Sequence, residues 1–234
     1  MNYINRFTNT SVNIHYIESV DYASDLLPLV YVPGALGRAD YFVQEISSFS
    51  PRHCVAMSLR GCGKSDAPLT GYTFDDNVHD ISSVIKSSSL RTYCLMAYSM
   101  SVPYAIKYAA SNPQEVKGLI LCDYPAVYPK IPEKWIERAT KFVPEDRQHV
   151  VLGVQQESEK MMLWDELKKI HCPVLVIKGG AEGAMISNDV TEKYKATLQN
   201  GEIIEFTQSG HELWTPDYNH FIDTIKQFLT RLDT

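Results

Sequence analysis

Ser99 stands in the pentapeptide Ala97-Tyr98-Ser99-Met100-Ser101, which closes the apolar run at residues 92–97 and opens the helix-like stretch SVPYAIKYAA. A sharp turn from strand into helix would push the Ser99 hydroxyl out at the strand's C-terminal edge, where it gains reach as a nucleophile. Such a turn crowds the residues two before and two after the serine, so both must be small. Here they are Ala97 and Ser101, small but not glycine. The helix behind the serine would add a positive dipole end and a free amide at Met100. A serine at a helix start is by default an N-cap, so acyl transfer needs partners elsewhere in the chain.

The turn Pro33-Gly34-Ala35-Leu36-Gly37 follows the apolar run at 26–32. Its two glycines let a backbone amide, that of Ala35, point beside the nucleophile. With the Met100 amide it would form a two-donor oxyanion hole, worth around 3 kcal/mol per donor in such sites. Of seven histidines, His15 and His53 fall in or before strands, His79 and His220 on helices, His149 in an insertion and His171 before a strand. Only His211 follows the last strand-like run and precedes the last helix, at the sheet edge where ligands of open α/β sheets collect. It is the candidate base.

An acid must orient that histidine and stabilise its imidazolium. Glu182, in Gly179-Gly180-Ala181-Glu182-Gly183, gives the order nucleophile, acid, base along the chain. Asp123, at the end of the run 116–122, lies one sheet position nearer the nucleophile and is its rival. Gly61-Cys62-Gly63-Lys64-Ser65 suggests a phosphate loop, but that spacing requires glycine at position 58, where Ser58 stands. A loop, Asp66-Ala67-Pro68-Leu69-Thr70-Gly71, also follows where a helix should begin at once. Nucleotide binding is therefore not expected.

The elements that must position these residues alternate along the chain. Residues 26–32, 54–59, 92–97, 116–122, 173–178 and 202–207 read as strands, several nearly continuous in apolar residues, as in a parallel sheet covered on both faces. Residues 12–17 alternate apolar and polar and fit an antiparallel edge strand. Helices are expected at 39–49, 74–88, 101–111, 188–198 and 218–232, with Asp75 and Asn188 as N-caps. Repeated strand–helix units imply a doubly wound α/β sheet. From about 124 to 170 the rhythm breaks, with no convincing strand and with Trp135, Phe142, Met161, Met162 and Trp164 dispersed through helical stretches. The expected organisation is a core of 1–123 and 171–234 with a small helical cap at 124–170.

At 234 residues the chain is long enough for one α/β domain, and with 44% hydrophobic and 21% charged residues it is ordinary globular material. Its net charge of −6, with no basic cluster, gives no field toward nucleic acid or an anionic membrane. The polar opening segment MNYINRFTNTSVNIHY and five scattered cysteines, Cys54, Cys62, Cys94, Cys122 and Cys172, fit a reduced cytoplasmic protein without a zinc site.

Taken together, the segments resemble the α/β-hydrolase fold superfamily over essentially the whole chain. LVYVPGALGRADYF resembles its oxyanion-loop segment, with Pro33 where many members have histidine. MSLRGCGKSDAP resembles its D-x-R-G-x-G-x-S turn, with Ser58 for the aspartate, which accounts for GCGKS without a phosphate. AYSMSVPYAIKYAASNPQEVKGLILCD resembles the elbow, its helix and the next strand; PVLVIKGGAEGAMIS and SGHELW resemble the acid and histidine loops. The acid loop also aligns with its acid position on Ala184, which leaves the role to Asp123 or to none.

The resemblance implies an α/β-hydrolase fold, a mostly parallel central sheet with helices on both faces and a short helical cap insertion. The expected activity is metal-free, cofactor-free serine hydrolysis of a small ester, thioester or lactone. Ser99, His211 and Glu182 or Asp123 would form the triad, and Ala35 and Met100 the oxyanion hole. Tyr98, Trp135, Met161, Trp164 and Trp214 are candidates for the substrate pocket. A ligand-binding protein with little turnover on the same scaffold is the reading from another class, and C–C bond hydrolysis is a third. The expected partner is a small-molecule substrate, with no nucleic acid or membrane, in a monomer or homodimer.

Overall fold

Strand-forming runs separated by amphipathic stretches produce a layered α/β structure, described over residues 3–233 by a computed structural model. In chain order the first half holds β1 (Tyr3–Phe7), β2 (His15–Ser19), β3 (Leu29–Val32), α1 (Val43–Phe49), β4 (Cys54–Met57) and α2 (Phe74–Ser87). Then come β5 (Tyr93–Tyr98), α3 (Val102–Ser111) and β6 (Val116–Cys122). The inserted segment carries β7 (Val127–Tyr128), α4 (Lys134–Ala139), α5 (Gln148–Gln156), β8 (Met161–Met162) and α6 (Trp164–Leu167). The chain ends with β9 (Val174–Gly179), α7 (Asn188–Thr197), β10 (Gly201–Phe206) and α8 (Tyr218–Leu232).

The described residues form an eight-stranded sheet in the order β1-β2-β4-β3-β5-β6-β9-β10. The β1–β2 and β2–β4 pairs are antiparallel, and every pair from β4 to β10 is parallel. The alternation of side chains along each strand divides the core in two. Val30, Val32, Leu95 and Ala97 face the side covered by α2 and α3, with Ile81, Val84 and Ala105. Leu29, Tyr31, Cys94 and Met96 face α1 and α8, with Ile46, Phe49, Phe221, Ile225 and Leu229. Burying both faces is what the continuous apolar runs require.

Several expectations are corrected in detail. The strand at 12–17 becomes β2, an interior strand, because β1 pairs outside it. β1 itself has the sequence YINRF, partly exposed, with no apolar run to announce it. The N-cap of α2 is Thr73, not Asp75: the Thr73 hydroxyl accepts the Asp76 amide while the Asp76 carboxylate accepts the Thr73 amide. This reciprocal box satisfies two amides at once and outcompetes a single cap. Ser187, not Asn188, caps α7 by accepting the Val190 amide. Residues 39–42 form a 3-10 turn before α1. In the inserted segment β7 and β8 pair antiparallel, a short ladder where no strand was expected.

The inserted segment is bound to the sheet domain through the two residues that flank α5. The Arg147 guanidinium donates to the carbonyls of Gly61 and Ser65, both at 3.1 Å. Glu157 accepts the amides of Gly71 and Tyr72 at 3.1 and 2.8 Å. The GCGKS turn thus serves as scaffold. Arg60 forks onto buried Asp80 at 2.6 and 2.7 Å, and burial pushes the Cys62 thiol up to about 12, an inert side chain. Among the described residues no helix is long and apolar enough to cross a membrane.

Candidate active site

The site is assembled at the C-terminal edge of the parallel strands. β5 ends at Tyr98, and Ser99 follows with φ of +55°, a left-handed conformation that costs a non-glycine residue of order 1 kcal/mol or more. A 3-10 turn over Ser99–Ser101 then leads into α3, whose first turn tolerates Pro103 because it needs no amide there. Tyr98 is paired with Cys122 of β6 and Cys122 with Ile177 of β9, so β5 and β6 end level while β9 runs on to Gly179. Asp123 leaves β6 beside Ser99, and it too has positive φ, +43°.

His211 lies in the loop between β10 and α8. Its Nε2 is 2.8 Å from Ser99 Oγ, and its Nδ1 is 2.8 Å from Asp123 Oδ2. A fully buried carboxylate beside Nδ1 accepts a hydrogen bond from that nitrogen's N–H and keeps the proton there, which leaves the Nε2 lone pair facing the Ser99 hydroxyl. The arrangement can therefore remove the Ser99 proton as Oγ attacks, and hold the resulting imidazolium against a fixed negative charge.

Asp123 is 0% exposed, so its charge must be met by donors. Besides His211 it accepts backbone amides from Gly179 at 3.2 Å, Met185 at 2.9 Å and Ile186 at 3.4 Å. The first belongs to the last residue of β9, the other two to the loop that follows it. This explains why Glu182, in that same loop, does not occupy the expected place. The loop turns its amides inward onto Asp123, and the Glu182 side chain is exposed. The acid beside His211 is the rival, Asp123. Gly210 allows the histidine loop to close over this one, since a Cβ there would lie 2.5 Å from the Glu182 carbonyl oxygen.

The turn at 33–37 rests directly on the elbow. A Cβ on Gly34 would fall 3.0 Å from Ser99 Cβ and 2.9 Å from Tyr98 Cδ1, so only glycine fits without displacement. Gly34→Ala is expected to lower kcat by about tenfold to a hundredfold, since small displacements at a reacting centre have effects of that size. The thermal midpoint should stay within a few degrees; kinetics and a melting curve on one preparation check this.

The aromatic candidates divide by what they touch. Tyr98 stacks on the His211 ring at 4.9 Å, donates to the His211 carbonyl at 3.2 Å and meets Trp214 edge-on at 5.1 Å. Burial, followed by the charge of Glu212, holds its phenol well above the ordinary tyrosine range, so it remains a donor. Tyr98 and Trp214 thus support the histidine loop. Trp164 is buried against Tyr194, with the Lys193 ammonium over its ring, and joins α6 to α7. Trp135 and Met161 are partly buried against the core cluster that contains Met100. The contacts unforeseen from sequence are the three amides on Asp123 and a bond from Ser101 to Pro33. The one advance signal was a serine where glycine is usual.

The family model described as alpha/beta hydrolase fold matches residues 28–152. AB hydrolase superfamily protein YisY of Bacillus subtilis (strain 168) is 22% identical over 270 residues, spanning 92% of this chain and 98% of that protein. The fold is similar to that of an esterase, EaEST, from Exiguobacterium antarcticum, with a TM-score of 0.79 and 20% identity over 97% of this chain and 100% of the other. It is also similar to the enol-lactonase from Burkholderia xenovorans LB400, with a TM-score of 0.77 and 17% identity over 97% and 100%. At these identities the structural likeness concerns the fold.

Proposed function

The chain belongs to the alpha/beta hydrolase family, and on that premise we propose that it is a serine hydrolase cleaving a small ester, thioester or lactone through an acyl-enzyme on Ser99. The observation that carries this reading is the continuous Ser99–His211–Asp123 hydrogen-bond chain, 2.8 Å at both links. Similarity to an esterase and a lactonase supports the substrate class.

Ser99 Oγ attacks the substrate carbonyl carbon while its proton passes to His211 Nε2. The negative charge gathers on the former carbonyl oxygen, where the amides of Met100 and Ala35 receive it. Collapse of this intermediate breaks the bond to the leaving oxygen or sulfur, which takes the proton from His211. Water then loses a proton to His211 and attacks the acyl carbon. Collapse of the second intermediate returns that proton to Ser99 and frees the acid. Asp123 stays ionised throughout and fixes the ring. Segment 124–170 acts as the cap, with Trp135 and Met161 against the acyl group.

A fluorophosphonate tests the reading without knowledge of the substrate, because it reacts with an activated serine. Wild-type protein is expected to gain the phosphonyl group on Ser99, located by peptide mass spectrometry, and to give a burst with a chromogenic short-chain ester. Saturable binding of a small ligand without labelling or turnover would make it a binding protein and end the enzymatic reading.

A further inference from the structure

Ser101 is fully buried, and its hydroxyl donates to the Pro33 carbonyl at 2.5 Å across 68 residues of sequence. It precedes the first residue of α3, where a serine ordinarily turns its oxygen onto the helix's own free amides. Here it makes no such cap and already has helical backbone angles, φ −85° and ψ −8°. The hydroxyl is committed instead to the turn between β3 and α1. Two departures from the family's residue pattern, Pro33 and Ser101, are bonded to each other.

The consequence follows from peptide planarity. The Pro33 carbonyl lies in the Pro33–Gly34 peptide plane, so the bond from Ser101 fixes that plane's rotation. The next plane, Gly34–Ala35, is held at its carbonyl by the Gly37 amide at 2.9 Å. In a trans peptide the Ala35 N–H points opposite the Gly34 carbonyl, so its direction is set by these two anchors and by the hinge at Gly34 between them. Gly34 has the widest conformational freedom of any residue and cannot fix the direction itself. We infer, on the hydrolase reading above, that Ser101 is a positioning residue: it locks the 33–37 turn onto the nucleophile's own helix so that the Ala35 amide is aimed at the oxyanion before substrate arrives. Because the lock ties this turn to the helix that begins beside Ser99, both donors and the nucleophile move as one body.

The test uses full-length wild type, Ser101→Ala and Ser101→Gly. With a chromogenic short-chain ester, Ser101→Ala is expected to lose about tenfold in kcat with KM within about twofold, less than outright loss of a donor. A trifluoromethyl ketone, whose hemiketal oxygen mimics the developing charge, should bind more weakly by the same factor. Ser101→Gly should follow Ser101→Ala, since the hydroxyl and not the size of the side chain matters. A fall in thermal midpoint with kcat and ketone affinity unchanged would leave Ser101 a packing residue and overturn the inference. Backbone 15N relaxation gives a readout independent of turnover. In Ser101→Ala the order parameters of the Gly34 and Ala35 amides should drop while that of Leu95, inside β5, stays constant. If wild type neither labels nor turns over, the hydrolase reading fails by itself, and unchanged order parameters at Ala35 would separately refute the lock.

Discussion

Ser99→Ala is expected to lower kcat by roughly a millionfold with little change in KM or in thermal midpoint. The expected size comes from the relay: with Oγ gone, His211 Nε2 loses the group 2.8 Å away whose proton it takes. Stability should be spared because alanine keeps the Cβ, and hence the same strain, at φ of +55°. Substrate contacts outside the nucleophile are also untouched. Residual catalysis over water should persist, since oxyanion donors and binding act without the triad, typically by about a thousandfold. His211→Ala should fall to a similar level, and the double variant no further, because residues acting as a unit do not lose activity additively. Progress curves at enzyme concentrations high enough to read the residual rate decide the matter. Wild-type turnover in Ser99→Ala would remove the acyl-enzyme mechanism altogether.

Much of this arrangement was legible before any coordinates. The parallel strands announced themselves because strands buried on both faces must be nearly continuous in apolar residues, as in residues 174–177 and 118–122. Ser99 and His211 could be paired because topology, not contact, puts the ends of β5 and β10 on one edge. β1 was invisible for the opposite reason: an edge strand with a wet face carries no continuous apolar run, and pairing to β2 with the side-chain contacts of Asn5 and Phe7 to His15 holds it. The N-caps were misplaced by a residue or two because Thr73 and Asp76 satisfy each other, a pair effect that single-residue preference does not reveal. The acid was the hardest case. Chain order favours Glu182, and only the inward turn of three backbone amides, which depends on no side chain, gives the place to Asp123. Ser101 illustrates the same limit. Its type reads only as a small residue two places after the serine, whereas its partner, Pro33, lies 68 residues away.

Asp123→Asn and Glu182→Gln are expected to separate by about ten-thousandfold in kcat, the aspartate variant losing that much and the glutamate variant remaining near wild type. Asparagine matches aspartate in shape but must place an NH2 where one oxygen stood. On the Oδ1 side it would confront the amides of Gly179 and Ile186, donor against donor. On the Oδ2 side it would confront the Met185 amide and force His211 to accept at Nδ1. The ring proton would then sit on Nε2, aimed at Ser99, and the base would have no lone pair to offer. Both placements also leave a buried donor unsatisfied, so unfolding free energy should fall by about 1–3 kcal/mol, measurable by urea titration. Glu182 is exposed, and the ring's hydrogen bonds go to Asp123 and Ser99, so its neutralisation changes only a solvent-screened charge. A large kcat loss in Glu182→Gln with an active Asp123→Asn would return the acid to the loop after β9. The inward-facing amides would then be only the support of a buried structural carboxylate.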